Sequence, residues 1–143
     1  MAAGIAGEAA LMLALAAEAV WDMRKREVCR PVLFLIALVG VVMPGRGFIM
    51  QSAAVLAAFC ALILVKKTDI GIGGGDIWVL VALTFATGVV RALSSLTIGV
   101  LALITANAIR FGRAGLKRET ALIPFIAAGH VATLLILSAV ISA

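Results

Sequence analysis

The chain has 143 residues, of which 64% are hydrophobic and 13% are charged, and its mean hydropathy is +1.23. Soluble domains are about half apolar and about a quarter charged, so this composition excludes an ordinary soluble domain. A helical membrane span takes ~20 mainly apolar residues, and about six spans would use almost the whole length. We therefore expect an all-α, polytopic membrane protein with about six transmembrane helices, formed by one domain over residues 1–143.

Six apolar segments follow one another along the chain, separated by charged stretches or by turns with proline and glycine. They are predicted at residues 4–22, 31–45, 49–65, 75–90, 93–110 and 121–142. The first segment contains the acidic Glu8, and no basic residue precedes Arg24. A secretory signal peptide normally begins with a basic segment, so we interpret the first segment as a retained span.

The positive net charge of +5 does not predict binding to nucleic acid, because basic residues on a membrane protein usually record its topology. The two cysteines, Cys29 and Cys60, are far apart and have no neighbouring histidine. The sequence therefore predicts no metal site and no cofactor. The single histidine, His130, falls in the last apolar segment, where a hydrogen-bonded packing role is more common than a ligand role.

Most of the basic residues follow the odd-numbered segments. Only Arg46 and Arg91 follow the second and fourth segments. The others of the 12 are Arg24, Lys25, Arg26, Arg30, Lys66, Lys67, Arg110, Arg113, Lys117 and Arg118. Cytoplasmic loops carry the excess of Lys and Arg, so the odd loops are expected in the cytoplasm and both termini outside.

Two aspartates come to the inner edge of the membrane in this topology. Asp22 ends the first segment and Asp76 begins the fourth. Ionisable residues at such depth are costly and are often functional, although a single interfacial charge can simply reach water. Gly73, Gly74 and Gly75 precede Asp76 and would let another backbone, such as an extended peptide, approach it. The stretch lacks the Lys and Ser/Thr of a phosphate-binding loop.

Two carboxylates that converge at a water-accessible membrane edge are typical of an aspartic protease pair. Such a pair shares a proton, because two carboxyl groups at close range do not both ionise easily. The competing hypothesis is a small ion- or proton-coupled transport subunit that uses the same aspartates as ion ligands. It predicts polar residues in the middle of the spans, where Thr84, Thr105 and Asn107 are the few candidates and form no evident path.

The stretch GIGGGD at 71–76 resembles the GxGD signature of intramembrane aspartyl proteases. Together with WDMRKREVCRP at 21–31 and ETALIPFIAAG at 119–129, it makes nearly the whole chain resemble the type IV prepilin peptidase family. In that family the first aspartate follows the first span, ahead of a basic segment, and the second belongs to GxGD. The resemblance therefore assigns catalytic roles to Asp22 and Asp76.

Other positions match or depart from the family pattern. Its later PF…G stretch is matched by Pro124, Phe125 and Gly129. Many members have Ile-Pro-Asn where this chain has VCRP at 28–31, and many have Lys where it has Trp78. Neither departure removes a carboxylate. The presenilin and signal-peptide-peptidase group also uses GxGD, but its Pro-Ala-Leu motif is absent here.

The resemblance implies an aspartic endopeptidase in a prokaryotic cytoplasmic membrane. Its substrate would be a type IV pilin-like precursor, and its action would be removal of the basic leader at the cytoplasmic face. Larger members carry a domain with paired CxxC motifs that methylates the product. This sequence contains no CxxC motif. It is therefore similar to the short peptidases of tight-adherence (Flp-type) pilus systems, which the resemblance implies act as peptidases only. Glu27, Asp69 and Glu119, in the inner loops, could attract the leader or merely balance neighbouring basic residues.

The charge distribution gives a test of the topology. A single cysteine placed near Arg46 should react with an impermeant maleimide added outside intact cells, and one placed near Lys117 should react only after permeabilisation. The reason is that the basic loops stay in the cytoplasm. Labelling of the Arg46 loop only after permeabilisation would overturn the topology and the shared depth of the two aspartates.

Overall fold

The computed structural model of the chain describes residues 2–42, 74–111 and 120–142. These residues form five α-helices and no strand, which confirms the all-α prediction for the described part. The helices are α1 (Ala2–Lys25), α2 (Arg30–Val42), α3 (Gly74–Thr87), α4 (Val89–Phe111) and α5 (Ile123–Ser142). The predicted segment at 49–65 lies outside the described residues, as does Gly73.

The outward faces of the helices are strongly apolar. In the described part, α4 and α5 are long and apolar enough to cross a membrane, and α2 and α3 are shorter apolar helices. Large side chains point away from the bundle: Phe34 is 71% exposed, Ile109 81% and Val140 69%. Soluble monomers rarely expose large apolar patches, so outward faces of this kind are typical of a membrane protein.

The interior contains polar side chains among its leucines and isoleucines. The buried polar residues of the described part are Glu18, Asp22, Thr84, Thr87, Ser95, His130 and Thr133. The threonines return their hydroxyl groups to their own helix; Thr84, for example, donates to the Leu80 carbonyl at 2.7 Å. A threonine satisfied in this way needs no partner on another helix, whereas the buried carboxylates and His130 do.

The second and third helices run parallel to each other. Near their ends, Gly40 of α2 lies against Phe85 and Ala86 of α3, and a Cβ at Gly40 would be 2.8 Å from the Ala86 Cα. Near their beginnings, Val28, just before α2, contacts Gly75 of α3. The start of α3 therefore lies beside the loop that joins α1 to α2.

The turn between α3 and α4 lies at Gly88, three residues before Arg91, around which the sequence predicts the joint. Gly88 has φ +86°, a conformation that glycine adopts without steric cost. Its N–H donates to the Thr84 carbonyl at 2.8 Å, and its own carbonyl accepts from the Ala92 N–H at 3.0 Å. The two helices thus follow each other with no loop between them.

The ends of the helices form two groups. The end of α1, the beginnings of α2, α3 and α5, and the end of α4 lie together. We call this the aspartate end, because Asp22 and Asp76 belong to it. The beginning of α1 and the turn at Gly88 lie at the opposite end, where Glu8 contacts Arg91.

Helices α4 and α5 are antiparallel and are held close by two glycines. A Cβ at Gly99 would be 2.6 Å from the Phe125 carbonyl oxygen. A Cβ at Gly129 would overlap the Ser95 carbonyl oxygen and lie 2.8 Å from the Gly99 nitrogen. These are backbone atoms, which cannot rotate away, so the two helices can approach this closely only with glycine at both positions.

Substitution of Gly129 should therefore separate α4 from α5. We expect Gly129→Val to lower the free energy of unfolding by roughly 1–3 kcal/mol, the usual cost of overpacking. Thermal unfolding of the purified protein in detergent measures this change. Ala128→Val is the matched control: Ala128 is the preceding residue, faces outward and should change stability little. Equal melting temperatures for the two variants would contradict the close contact.

Candidate active site

Asp22 lies in the last turn of α1 and is 8% exposed. Its carboxylate accepts a hydrogen bond from the backbone N–H of Ile123, the first residue of α5. The other carboxylate oxygen, Oδ2, has no hydrogen-bond partner among the described residues. The amino end of a helix carries partial positive charge, so Asp22 links the two helices and places its negative charge at a favourable position.

The backbone directly after Asp22 has an unusual conformation. Arg26 has φ +57°, and its N–H donates to the Asp22 carbonyl at 2.9 Å. This ends α1 in the way that glycine usually does, and a residue with a Cβ pays roughly 1–2 kcal/mol for that conformation. The guanidinium of Arg26 also attracts the Asp22 carboxylate. From the sequence, Arg26 was predicted only to mark the topology.

A second buried carboxylate, Glu18, lies one helical turn before Asp22. Glu18 is completely buried, and its Oε1 accepts a hydrogen bond from the Cys29 N–H at 2.8 Å. Its Oε2 has no hydrogen-bond partner within the described ranges. The negative charges of Glu18 and Asp22 oppose each other. Glu18 was not among the site residues predicted from the sequence, although its spacing of four residues from Asp22 places both on one helix face.

Asp76 belongs to the first turn of α3 and is half-buried. Gly74 and Gly75 are the first two residues of that helix, so at these positions the glycine stretch is helical. A Cβ built on Gly75 would overlap the Val28 side chain. In the structure, therefore, Val28 occupies the space beside Gly75, where the sequence predicts an approach for a substrate backbone.

The two aspartates lie at the same end of the bundle on different helices. Within the described residues, α1 packs against α2 and α5, and α3 packs against α2 and α4, so α1 and α3 hardly touch directly. They are connected through the loop at 26–29, which follows Asp22 and contacts the residue before Asp76.

Both tryptophans of the chain flank this end. Trp21 precedes Asp22 and is 44% exposed, and Trp78 follows Asp76 by two residues and is 55% exposed. Tryptophan is enriched where a membrane meets water, because its ring is apolar and its N–H is polar. Two exposed tryptophans at one end of the bundle are typical of helix ends at a membrane surface.

A separate polar cluster occupies the opposite end of the bundle. Arg91 donates to Glu8 at 2.8 Å, and the second Glu8 oxygen is 3.8 Å from His130 Nε2. Ser95 donates to the Arg91 carbonyl at 2.7 Å, and its hydroxyl oxygen lies within hydrogen-bond distance of His130 Nδ1, at 3.1 Å. His130 is fully buried, which confirms its predicted packing role.

This opposite-end cluster is remote from the aspartates. Glu8 and Asp22 are fourteen residues apart on α1, or about 21 Å along the helix axis. A cavity of about 580 Å³ also opens at the opposite end, lined by the turn at Gly88 and by the facing part of α5. Neither aspartate lines it. In the described ranges no group of three or more His, Cys, Asp or Glu side chains could hold a metal ion.

Comparison with known proteins gives one match. The model of the type IV leader peptidase family matches residues 9–143, a region that includes Asp22, Asp76 and the Ile123 amide that binds Asp22. No curated protein and no solved structure matches the chain. The family match covers far more than half of the sequence and agrees with the family that its motifs resemble; the chain belongs to the type IV leader peptidase family.

Proposed function

We propose that this protein is a membrane-embedded aspartic endopeptidase that removes the basic leader from type IV pilin-like precursors. Family membership supports a leader peptidase. One observation carries the assignment of Asp22 and Asp76 as the catalytic pair: the loop at 26–29 brings the end of α1 and the first turn of α3 to the same end of the bundle.

The proposed chemistry follows from two carboxyl groups that share one proton. The ionised carboxylate takes a proton from water, the water oxygen bonds to the scissile carbonyl carbon, and the protonated carboxyl donates its proton to the carbonyl oxygen. The tetrahedral product then collapses, the C–N bond breaks and the leaving amine takes a proton from the pair. Oδ2 of Asp22, with no partner among the described residues, is available for such exchange.

The charges at the two ends support a cytoplasmic location for the aspartate end. Arg24, Lys25 and Arg30 are exposed there, as expected of a loop in the cytoplasm. At the opposite end, Arg91 is neutralised by its ion pair with Glu8. The parallel α2 and α3 agree with six spans, in which these helices would be the second and the fourth. A leader in the cytoplasm and an apolar substrate helix in the bilayer would then meet at the aspartates.

The alternative of a transport subunit gains no support. The family match points to a peptidase, and the polar residues proposed for an ion path have hydrogen-bond partners among the described residues. Thr84 donates to its own helix, the exposed Thr105 does the same, and Asn107 donates to Thr120 at 3.0 Å.

Substitution of either catalytic aspartate should abolish cleavage. Asp22→Asn and Asp76→Asn keep the shape of the side chain but cannot exchange a proton, so each should lose at least about a hundredfold in rate. Co-expression with a prepilin and a gel shift for leader removal measure this, with membrane insertion checked by immunoblot. Asp69→Asn is the control, because Asp69 lies in sequence near Lys66 and Lys67. An active Asp22→Asn, or an inactive Asp69→Asn, would mean that the pair is wrongly assigned.

The contact between Gly75 and Val28 gives a separate prediction. Gly75→Ala should lower cleavage about tenfold, because the new Cβ overlaps Val28 and displaces the helix start that carries Asp76. Val28→Ala removes the overlapping methyl group, since the remaining Val28 Cβ would be 3.5 Å away. The double variant should therefore regain most of the activity in the same gel-shift assay. If it stays as slow as Gly75→Ala, glycine is needed there for a substrate contact and not for this packing.

A further inference from the structure

Glu18 is a buried ionisable residue that the proposed chemistry does not use. It belongs to the face of α1 that also buries Leu11, Leu15 and Asp22. Burial of an apolar side chain at this position would cost less free energy. A buried carboxyl group loses the free energy of its hydration and regains only the part that its hydrogen bonds provide. A role for Glu18 must therefore come from the groups that its carboxyl group contacts.

Its described hydrogen bond is to the loop between α1 and α2. Oε1 of Glu18 accepts from the Cys29 N–H at 2.8 Å, across eleven residues of sequence. Cys29 is the last residue before α2, and its own carbonyl accepts from the N–H groups of Val32 and Leu33 at 3.0 and 3.1 Å. Glu18 thus holds the first turn of α2 against the side of α1.

The same loop determines where α3 begins. Val28, next to Cys29, fills the space beside Gly75, and Gly75 precedes Asp76. Since α1 and α3 hardly touch directly within the described residues, the loop is the contact between them at this end. A continuous series of contacts therefore leads from Glu18 through Cys29, Val28 and Gly75 to Asp76.

We propose that Glu18 is a positioning residue for the aspartate pair: its hydrogen bond to Cys29 holds the loop at 26–29 in place and thereby sets the position of Asp76 relative to Asp22. This inference rests on the proposed function. In this role Glu18 acts as a hydrogen-bond acceptor and takes no part in proton transfer. Catalysis is sensitive to such placement, because errors of about 1 Å in a reacting group cost up to about a hundredfold in rate.

Two substitutions at Glu18 test whether this residue acts by positioning the loop, by its charge or by stabilising the whole protein. Glu18→Leu removes the acceptor, and it should lower kcat at least about tenfold while KM stays within about twofold. Its melting temperature should fall only slightly, because the substitution removes the desolvation cost of a buried carboxyl group but leaves the Cys29 N–H without its acceptor. Glu18→Gln keeps an oxygen for the Cys29 N–H and should recover most of the lost kcat. The assay is cleavage of purified prepilin in detergent.

A second measurement follows the geometry without relying on activity. Asp22→Cys and Asp76→Cys are combined with Cys29→Ser and Cys60→Ser, and a short bis-maleimide joins positions 22 and 76. Mass spectrometry gives the yield, which should fall at least about threefold with Glu18→Leu and recover with Glu18→Gln. Glu8→Leu, which removes a carboxylate from the opposite end of α1, should lower the melting temperature and leave the yield unchanged.

The outcomes are distinguishable from failure of the proposed function. An active Asp22→Asn or Asp76→Asn enzyme would refute the catalytic pair, whereas the cross-link reports the geometry in either case. Normal kcat in Glu18→Leu, an unchanged cross-link in that variant, or a Glu18→Gln enzyme as slow as Glu18→Leu would each overturn the positioning role.

Discussion

The arrangement at the aspartate end depends on how a carboxylate is buried at the end of α1. Asp22 is 8% exposed, and burial of a charge is costly unless the charge is hydrogen-bonded and compensated. Burial remains the largest effect on Asp22, and the Ile123 N–H, the amino end of α5 and the nearby Arg26 offset part of its cost. The helix gains as well, because the first N–H groups of a helix lack partners within it. The same bond therefore stabilises the charge and fixes where α5 begins.

Two further contacts extend this arrangement to the other helices. Glu18 holds Cys29, and the adjacent Val28 packs on Gly75 at the start of α3. Three helix beginnings, those of α2, α3 and α5, are thus placed relative to the end of α1 by contacts of single residues. At the opposite end, the Glu8–Arg91 ion pair, at 2.8 Å, fixes the beginning of α1 against α4.

Much of this fold could be predicted from hydrophobicity and charge. Long apolar segments identify helices whatever their packing, and the helix ends agree with the predicted segments within a few residues in the described part. The exception is the joint between α3 and α4, which lies at Gly88 and not around Arg91. A single glycine with φ +86° makes this turn, whereas the prediction followed the charge of Arg91. That charge does not mark a loop, because Arg91 pairs with Glu8 within the bundle.

The candidate site was predictable only in part. Asp22 and Asp76 are conspicuous because each interrupts apolar sequence at a segment end. Glu18 was not conspicuous, because the sequence does not show that Cys29 folds back onto the helix turn that contains Glu18. Val28 beside Gly75 was also missed, because the sequence indicates that a glycine allows close approach but not which group approaches. Long-range contacts of this kind depend on the tertiary packing, and one residue type is compatible with many partners.

Helix association in a membrane explains why so few residues carry this arrangement. Lipid is as apolar as the helix surfaces, so burial of apolar area does little to hold helices together there, and close packing and interhelical hydrogen bonds take its place. Gly40, Gly99 and Gly129 provide the packing where helix backbones meet, and the buried polar residues provide the hydrogen bonds. The glycine contacts fix the spacing between helices. The carboxylates at the two ends also fix the register of the helices, because a hydrogen bond to a single N–H or guanidinium is lost when a helix shifts by one turn. The position of Asp22 therefore follows from a polar contact at a helix end, and that of Asp76 from packing of Val28 against Gly75, while the apolar outer faces are free to meet lipid.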